Sequence, residues 1–220
     1  SPLLKSPFLA GTEFVRAFEK DFVVARQPAF TAIVHAGPVG RQNPGEDKAQ
    51  FAGPMGLGGG QLSAFWTPQS GSVILGLRSG MSFDKSFDHL DAWRTWPIHA
   101  ISGITVGGKV FTSARNARPE VVSEVKGDNA TVKVAGGPLV VMKLGKDPAA
   151  ADKEKARDQM YDEALDGSLE YARTFTIDAR GVSVETKISG ESKDSLAELV
   201  ETIPVYLGSG QSQVSNANVT

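Results

Sequence analysis

The residue types best suited to chemistry lie within one short segment, from Trp93 to His99. Two indoles in this segment could stack on sugar rings, the guanidinium of Arg94 could pair with a carboxylate, and the imidazole of His99 could exchange protons. In the alternative interpretation the tryptophans seal the edge of a sheet and His99 is a hydrogen-bonded structural residue. The candidate catalytic residue of the segment is His99. Its candidate substrate-binding residues are Trp93, Arg94 and Trp96.

Other titratable residues are more isolated. His35 stands at the end of a predicted strand that leads into a loop, where catalytic groups often occur, and it is the second catalytic candidate. The alternative for His35 is a hydrogen-bonded core residue, and His89 has weaker support. Three carboxylates could bind calcium, but their spacing lacks the glycine turn of an EF-hand loop, so a solvated loop is favoured and no metal site is predicted. These carboxylates are Asp84, Asp88 and Asp91.

One charged residue falls within an apolar row. Arg173 shares the apolar side of a predicted strand with Tyr171 and Phe175. Because a buried arginine requires a carboxylate partner, an internal ion pair is favoured over a ligand site.

The glycine-rich run at 56–60 invites comparison with a phosphate-binding loop. Such a loop needs a helix after it, whereas here a predicted strand follows. The glycines are therefore expected to permit a bulge or close packing between sheets.

The overall composition excludes several classes of protein. The chain has 220 residues, with 23 Lys and Arg against 25 Asp and Glu, and a formal net charge of -2. A nucleic-acid-binding protein would usually show a basic excess or a basic stripe, so that class is set aside. The lack of cysteine excludes disulfides and thiolate metal sites, and no apolar run approaches the ~20 residues of a membrane helix. No cofactor is predicted.

The elements that must position these residues are mostly short strands, and 24 Gly and 12 Pro supply the turns between them. Apolar and polar residues alternate in Leu169–Asp178 and again in 182–189, which predicts a hairpin with one buried face. Glycines at 107–108 predict a second hairpin. The capped and charge-rich stretch Ala149–Leu165 predicts one short surface helix. Further strands are predicted at Glu13–Glu19, Phe22–Arg26, Ala29–Ala36, Gln61–Trp66, Ser72–Leu77 and Leu199–Leu207.

The predicted fold class is therefore all-β, a large antiparallel β-sandwich with one short surface helix. Residues 1–207 are expected to form a single β-sandwich domain, and residues 208–220 a polar tail or linker. Both ends suggest that the chain is a piece of a larger protein.

Three stretches resemble the β domain of bacterial heparinase II/III-like polysaccharide lyases. They are Gly58–Pro68 with Ser72–Gly76, Trp93–Gly103, and Leu169–Phe175 with Glu201–Tyr206. The resemblance implies a supersandwich of antiparallel sheets with galactose mutarotase-like architecture. It also implies a cleft whose other wall is a helical domain or a partner chain. The helical toroid and the histidine-rich segment of that family do not occur in this sequence.

The resemblance implies a carbohydrate polymer as partner and an extracytoplasmic location, periplasmic or secreted. If the protein is an enzyme, it would be a lyase acting on a uronate-containing polymer, and the chain alone is not expected to be active. The second hypothesis is a non-catalytic structural or interaction module at the bacterial cell surface, whose sheet edges join neighbouring subunits. An exposed, convergent cluster around His99 would favour the first hypothesis, and a buried, hydrogen-bonded one the second.

Overall fold

The computed structural model describes residues 13–37, 59–75, 99–113, 119–145, 159–164, 169–191, 193 and 195–205. Within these residues fourteen β-strands form three antiparallel sheets in a sandwich-like arrangement, and no helix is present. The predicted all-β sandwich class is confirmed.

Sheet 1 is a five-stranded meander in which each strand pairs with the one before it. Its middle strand alternates sides: Ala32 and Val34 are buried in the core, and Thr31, Ile33 and His35 are half-buried on the opposite face. The strands are β1 (Phe14–Phe18), β2 (Phe22–Arg26), β3 (Thr31–His35), β4 (Gln61–Thr67) and β5 (Gly71–Leu75).

Sheet 2 has four strands, and two of them, each nine residues long, form the predicted hairpin. Residues Glu170–Asp178 pair with Gly181–Ser189 in continuous register, ending at Asp178 opposite Gly181. The strands are β8 (Glu120–Lys126), β9 (Asn129–Pro138), β12 (Glu170–Asp178) and β13 (Gly181–Ser189), in the spatial order β13-β12-β9-β8.

Sheet 3 has five strands and contains the hairpin predicted at the glycines 107–108. Ile104 pairs with Val110, and Gly108 adopts φ +84° in the turn between them. The strand predicted at Leu199–Leu207 begins earlier, at Leu196, and also ends earlier, at Thr202. The strands are β6 (Ala100–Thr105), β7 (Val110–Thr112), β10 (Val140–Gly145), β11 (Gln159–Ala164) and β14 (Leu196–Thr202), in the spatial order β11-β10-β7-β6-β14.

The predicted surface helix is wrong for the part that the structure describes. Residues Gln159–Ala164 form β11 and pair with β10 along its whole length, from Val140↔Ala164 to Gly145↔Gln159. Helix propensity is a weak preference, and here the backbone ladder offered by β10 outweighs it. The other residues of the predicted helix lie outside the described residues.

Sheet 2 packs against both other sheets through one face of β12. Phe175 and Ile177 lie in a core cluster with the inner side chains of sheet 1. Tyr171 lies in a second cluster with Ile101 and Phe111 of sheet 3. Arg173 occupies the position on β12 between these two clusters, so the fold places a charged side chain where the three sheets meet.

Candidate functional site

Arg173 is the centre of a buried polar group. The period of two along β12 turns its side chain to the same face as Tyr171 and Phe175, and only 1 % of it is exposed. Its Nε donates to Oε1 of Glu201 at 3.0 Å, and its Nη1 donates to the carbonyl of Gly60 at 2.6 Å. The ion pair predicted for Arg173 is confirmed, and Glu201 is its partner.

Glu201 collects hydrogen bonds from elements that are far apart in the sequence. It lies on β14 opposite Ile101 of β6. Its Oε1 accepts from Arg173, from Nε2 of His99 at 2.9 Å and from the hydroxyl of Thr186 at 2.7 Å. We call Arg173, Glu201, His99 and Thr186 the polar junction, since its members come from sheets 2 and 3 and from the residue just before β6.

His99 uses both of its ring nitrogens. The ring is 1 % exposed and contacts Phe175 edge-on, with the centroids 6.1 Å apart. Its Nδ1 accepts the backbone N–H of Leu62 on β4 at 3.0 Å, so Nδ1 carries no proton. The proton is therefore on Nε2, which donates to Glu201. His99 thus joins sheet 1 to sheet 3 as a neutral imidazole of one tautomer.

Electrostatics keep Glu201 ionised and His99 neutral. Burial would raise the pKa of Glu201, but the hydrogen bond from His99, the charge of Arg173 and the hydrogen bond from Thr186 hold it at about 2. Burial lowers the pKa of His99, an effect that the hydrogen bond to Glu201 opposes and the charge of Arg173 reinforces. Burial also lowers the pKa of Arg173, which the carboxylate of Glu201 counteracts.

Two glycines before β4 let the backbone approach the junction. Gly60 has φ +81°, and a Cβ built there would lie 3.0 Å from Cγ1 of Val134. The carbonyl of Gly59 accepts the hydroxyl of Tyr171 at 2.8 Å, and that of Gly60 accepts Arg173. At Gly60 the predicted close packing between sheets is confirmed.

The polar junction is suited to holding sheets together. Catalysis by His99 would need a lone pair or a proton directed at a substrate, but both nitrogens are bound within the protein and the ring is closed to solvent. Among the described residues no group of His, Asp and Glu could hold a metal ion. Within the described residues, the buried Nη2 of Arg173 makes no hydrogen bond.

The structure separates the two catalytic candidates. His35 lies on the face of β3 opposite the core residue Val34, and its ring lies against Phe22 with the centroids 4.2 Å apart. His99 lies inside the sandwich, so the two rings belong to different faces of sheet 1. The remaining candidates are outside the described residues: Trp93, Arg94 and Trp96, together with His89, Asp84, Asp88 and Asp91.

Sequence reasoning missed Glu201 and Thr186. Glu201 is 102 residues from His99 and 28 from Arg173, and no local motif links them. The available signal was Arg173 itself, because a buried guanidinium implies a carboxylate somewhere in the fold. Thr186 could have been found from the hairpin register, which places it directly opposite Arg173.

Comparison of the chain with protein-family models, with curated proteins and with solved structures finds no match. In the part of the chain that the structure describes, there is no helix long and apolar enough to cross a membrane.

Proposed function

We propose that this chain is a non-catalytic β-sandwich module that recognises carbohydrate or supports a cleft within a larger polysaccharide-acting protein. The observation that carries the non-catalytic part is the binding of both nitrogens of His99, the leading catalytic candidate, to Leu62 and Glu201. A histidine held in this way stabilises the sandwich and has no free position for a substrate proton.

The carbohydrate part of the proposal is supported by the sequence resemblance to heparinase II/III-like proteins. An extracytoplasmic location, periplasmic or secreted, follows from the same resemblance. A helical domain or a partner chain would supply the other wall of the cleft. If a bond is broken in that assembly, the reacting groups come from outside the polar junction.

The proposal is tested by incubating the purified chain with uronate polymers and following the ultraviolet absorbance of unsaturated products. We expect no product from the native chain or from His99→Gln. Turnover by the native protein would overturn the proposal, and its loss in a folded His99→Gln variant would also give His99 a chemical role.

A second candidate, which the buried and hydrogen-bonded state of His99 favours, is a structural or interaction module at the bacterial cell surface. Apolar side chains are exposed on β14 and just after it, at one edge of sheet 3: Leu199 (38 %), Ile203 (42 %) and Val205 (52 %). An exposed apolar edge strand can pair with a second copy of the chain. Light scattering tests this candidate: a dimer that Leu199→Lys converts to a monomer would support it, and a native monomer would contradict it.

A further inference from the structure

A groove of about 520 Å³ opens at one end of sheet 1, beside the turns that join β2 to β3 and β4 to β5. Its volume is within the range of about 300–1,000 Å³ that is typical of small-molecule sites. We call it the Trp66 groove, because the indole of Trp66 is its largest side chain and remains 43 % exposed. Pro28 and Pro68 add apolar surface.

The polar residues of the Trp66 groove come from neighbouring strands in register. Thr31 pairs with Arg26 on one side and with Trp66 on the other, so the three side chains form a row across β2, β3 and β4. This row lies on the outer face of sheet 1, since the adjacent residues Ala25 and Ala32 are buried in the core. Rigid strands therefore fix the spacing of an indole, a hydroxyl and a guanidinium.

The floor of the groove is also fixed. Gln27 and Phe30 exchange backbone hydrogen bonds of 2.8 and 3.3 Å across the β2–β3 turn. The side chain of Gln27 donates to the carbonyl of Asp128 at 2.7 Å, which ties this turn to sheet 2. Beneath the turn, the ring of Phe30 stacks on Phe65 with the centroids 5.2 Å apart. The groove is thus preorganised and needs little ordering when a ligand binds.

The chemistry of the lining selects a ligand with an apolar face and a polar rim. The exposed indole of Trp66 on the outer face of sheet 1 offers a flat apolar platform. Thr31 supplies a hydroxyl that donates and accepts, Arg26 supplies donors, and Glu13 supplies acceptors. A pyranose ring presents C–H groups on one face and hydroxyls around its edge, which matches this set. The lining contains one carboxylate, that of Glu13, and one guanidinium, that of Arg26, so it carries no net charge and an uncharged sugar fits better than a uronate.

We propose that the Trp66 groove binds neutral pyranose units of a glycan, with the indole of Trp66 as the stacking platform and Arg26, Thr31 and Glu13 as hydroxyl partners. The proposal rests on the carbohydrate part of the proposed function and gives that part a site on this chain. It involves no bond cleavage, so it does not depend on whether the module lacks activity.

The test is isothermal titration of the full chain with cellohexaose, mannohexaose and xylohexaose, and with trigalacturonate and a proline-rich peptide. We expect at least one neutral oligosaccharide to bind, and Trp66→Ala to weaken it at least about tenfold, because a central aromatic residue usually dominates such a site. Phe18→Ala is the matched control: Phe18 is equally exposed, at 45 %, at the far end of β1, and its removal should leave affinity unchanged. Unchanged thermal unfolding of both variants shows that the fold is intact.

A second variant tests the charge balance. Glu13→Gln removes one negative charge from the lining of the groove, so trigalacturonate should bind more tightly to this variant than to the native chain. Failure of every neutral oligosaccharide to bind, binding that Trp66→Ala does not weaken, or binding of the peptide alone would overturn the groove proposal. Lyase products would instead overturn the non-catalytic proposal and leave the groove unaffected.

Discussion

The polar junction and the Trp66 groove place similar side chains in opposite surroundings. In the junction, Arg173 and His99 are each 1 % exposed, and they form hydrogen bonds with Glu201 and with backbone atoms. In the groove, a guanidinium and a carboxylate lie beside an indole that is 43 % exposed. Residue type alone therefore does not identify a functional site: burial decides whether a polar group stabilises the fold or remains open to a ligand.

The largest expected effect is on stability, from Arg173→Met. The substitution leaves Glu201 and the carbonyl of Gly60 without their buried partner, so the free energy of unfolding should fall by about 3 kcal/mol, at the low end for buried pairs because Glu201 is partly exposed. Guanidinium denaturation measures this. Arg180→Met is the matched control, since Arg180 pairs with Asp178 on the surface, and it should change stability little. Equal losses would contradict a structural role for the junction.

The next largest effect is expected from His99→Phe. The apolar ring leaves the N–H of Leu62 and the carboxylate of Glu201 each short of one hydrogen bond, at a cost of about 2 kcal/mol. Urea denaturation measures the loss. His35→Phe keeps an aromatic ring against Phe22 and should cost less. If His35→Phe costs as much as His99→Phe, the distinction between the two histidines fails.

The junction also predicts how stability depends on pH. Since burial lowers the pKa of His99 in the folded state, only the unfolded chain gains that proton as the pH falls below about 6.5, and stability decreases. Glu201, with its pKa lowered to about 2, contributes stability above about pH 4.5 that is lost as the pH falls towards 2. Denaturation at a series of pH values should show the first decrease in the native chain, and it should be reduced in His99→Phe. A flat profile between pH 7 and 5 would contradict the assignment.

A smaller loss of stability is expected from a substitution at Gly60, where the backbone lies close to the junction. Gly60→Ala forces an L residue into φ +81° and brings a Cβ against Val134, so it should cost more than about 1 kcal/mol. Gly71→Ala has a similar φ of +70° with no atom within 4 Å of the built Cβ, and it measures the conformational cost alone. The difference in thermal stability between the two variants gives the cost of the contact between the added Cβ and Val134. The close packing at Gly60 is disproved if both variants lose the same stability.

The smallest effect on stability is expected in the groove. Trp66→Ala should lower the free energy of unfolding by less than the substitutions in the polar junction, because Trp66 lies outside the core cluster of sheet 1 and 43 % of it is exposed. The same variant should lose glycan affinity, as described above. If Trp66→Ala destabilises the fold as much as Arg173→Met, the indole is a packing residue and the contrast between the two regions disappears.

Most of the fold could be predicted, because alternating apolar and polar residues indicate strands and glycines indicate the turns between them. The segment Phe22–Arg26 was predicted with its observed bounds, and the hairpin formed by β12 and β13 was predicted from the alternation in Leu169–Asp178 and 182–189. The predicted helix was wrong in Gln159–Ala164, which is the part of it that the structure describes. There the composition favours helix, and only the presence of β10 as a neighbour, which is a tertiary fact, makes it a strand.

Less of the candidate site could be predicted. Arg173 was found because a charge in an apolar row is visible locally, but its partner Glu201 depends on how β14 docks beside β6. The groove depends on register in the same way: Arg26 and Thr31 flank one turn, but Trp66 is distant in sequence and becomes their neighbour only through the pairing of β4 with β3. A single unusual residue can be identified from the sequence, whereas predicting which residues form a site together requires the sheet topology.

The most direct test of the central claim is the protonation state of His99, measured by long-range ¹H–¹⁵N NMR of the imidazoles between pH 5 and 8, with His99→Gln used for assignment. We predict a neutral ring protonated on Nε2 at pH 7, whose titration is shifted to lower pH than that of an exposed imidazole because burial lowers the pKa of His99. A ring that titrates near pH 6.5 and exchanges between tautomers would contradict this prediction, because such a histidine would be open to solvent and available for chemistry.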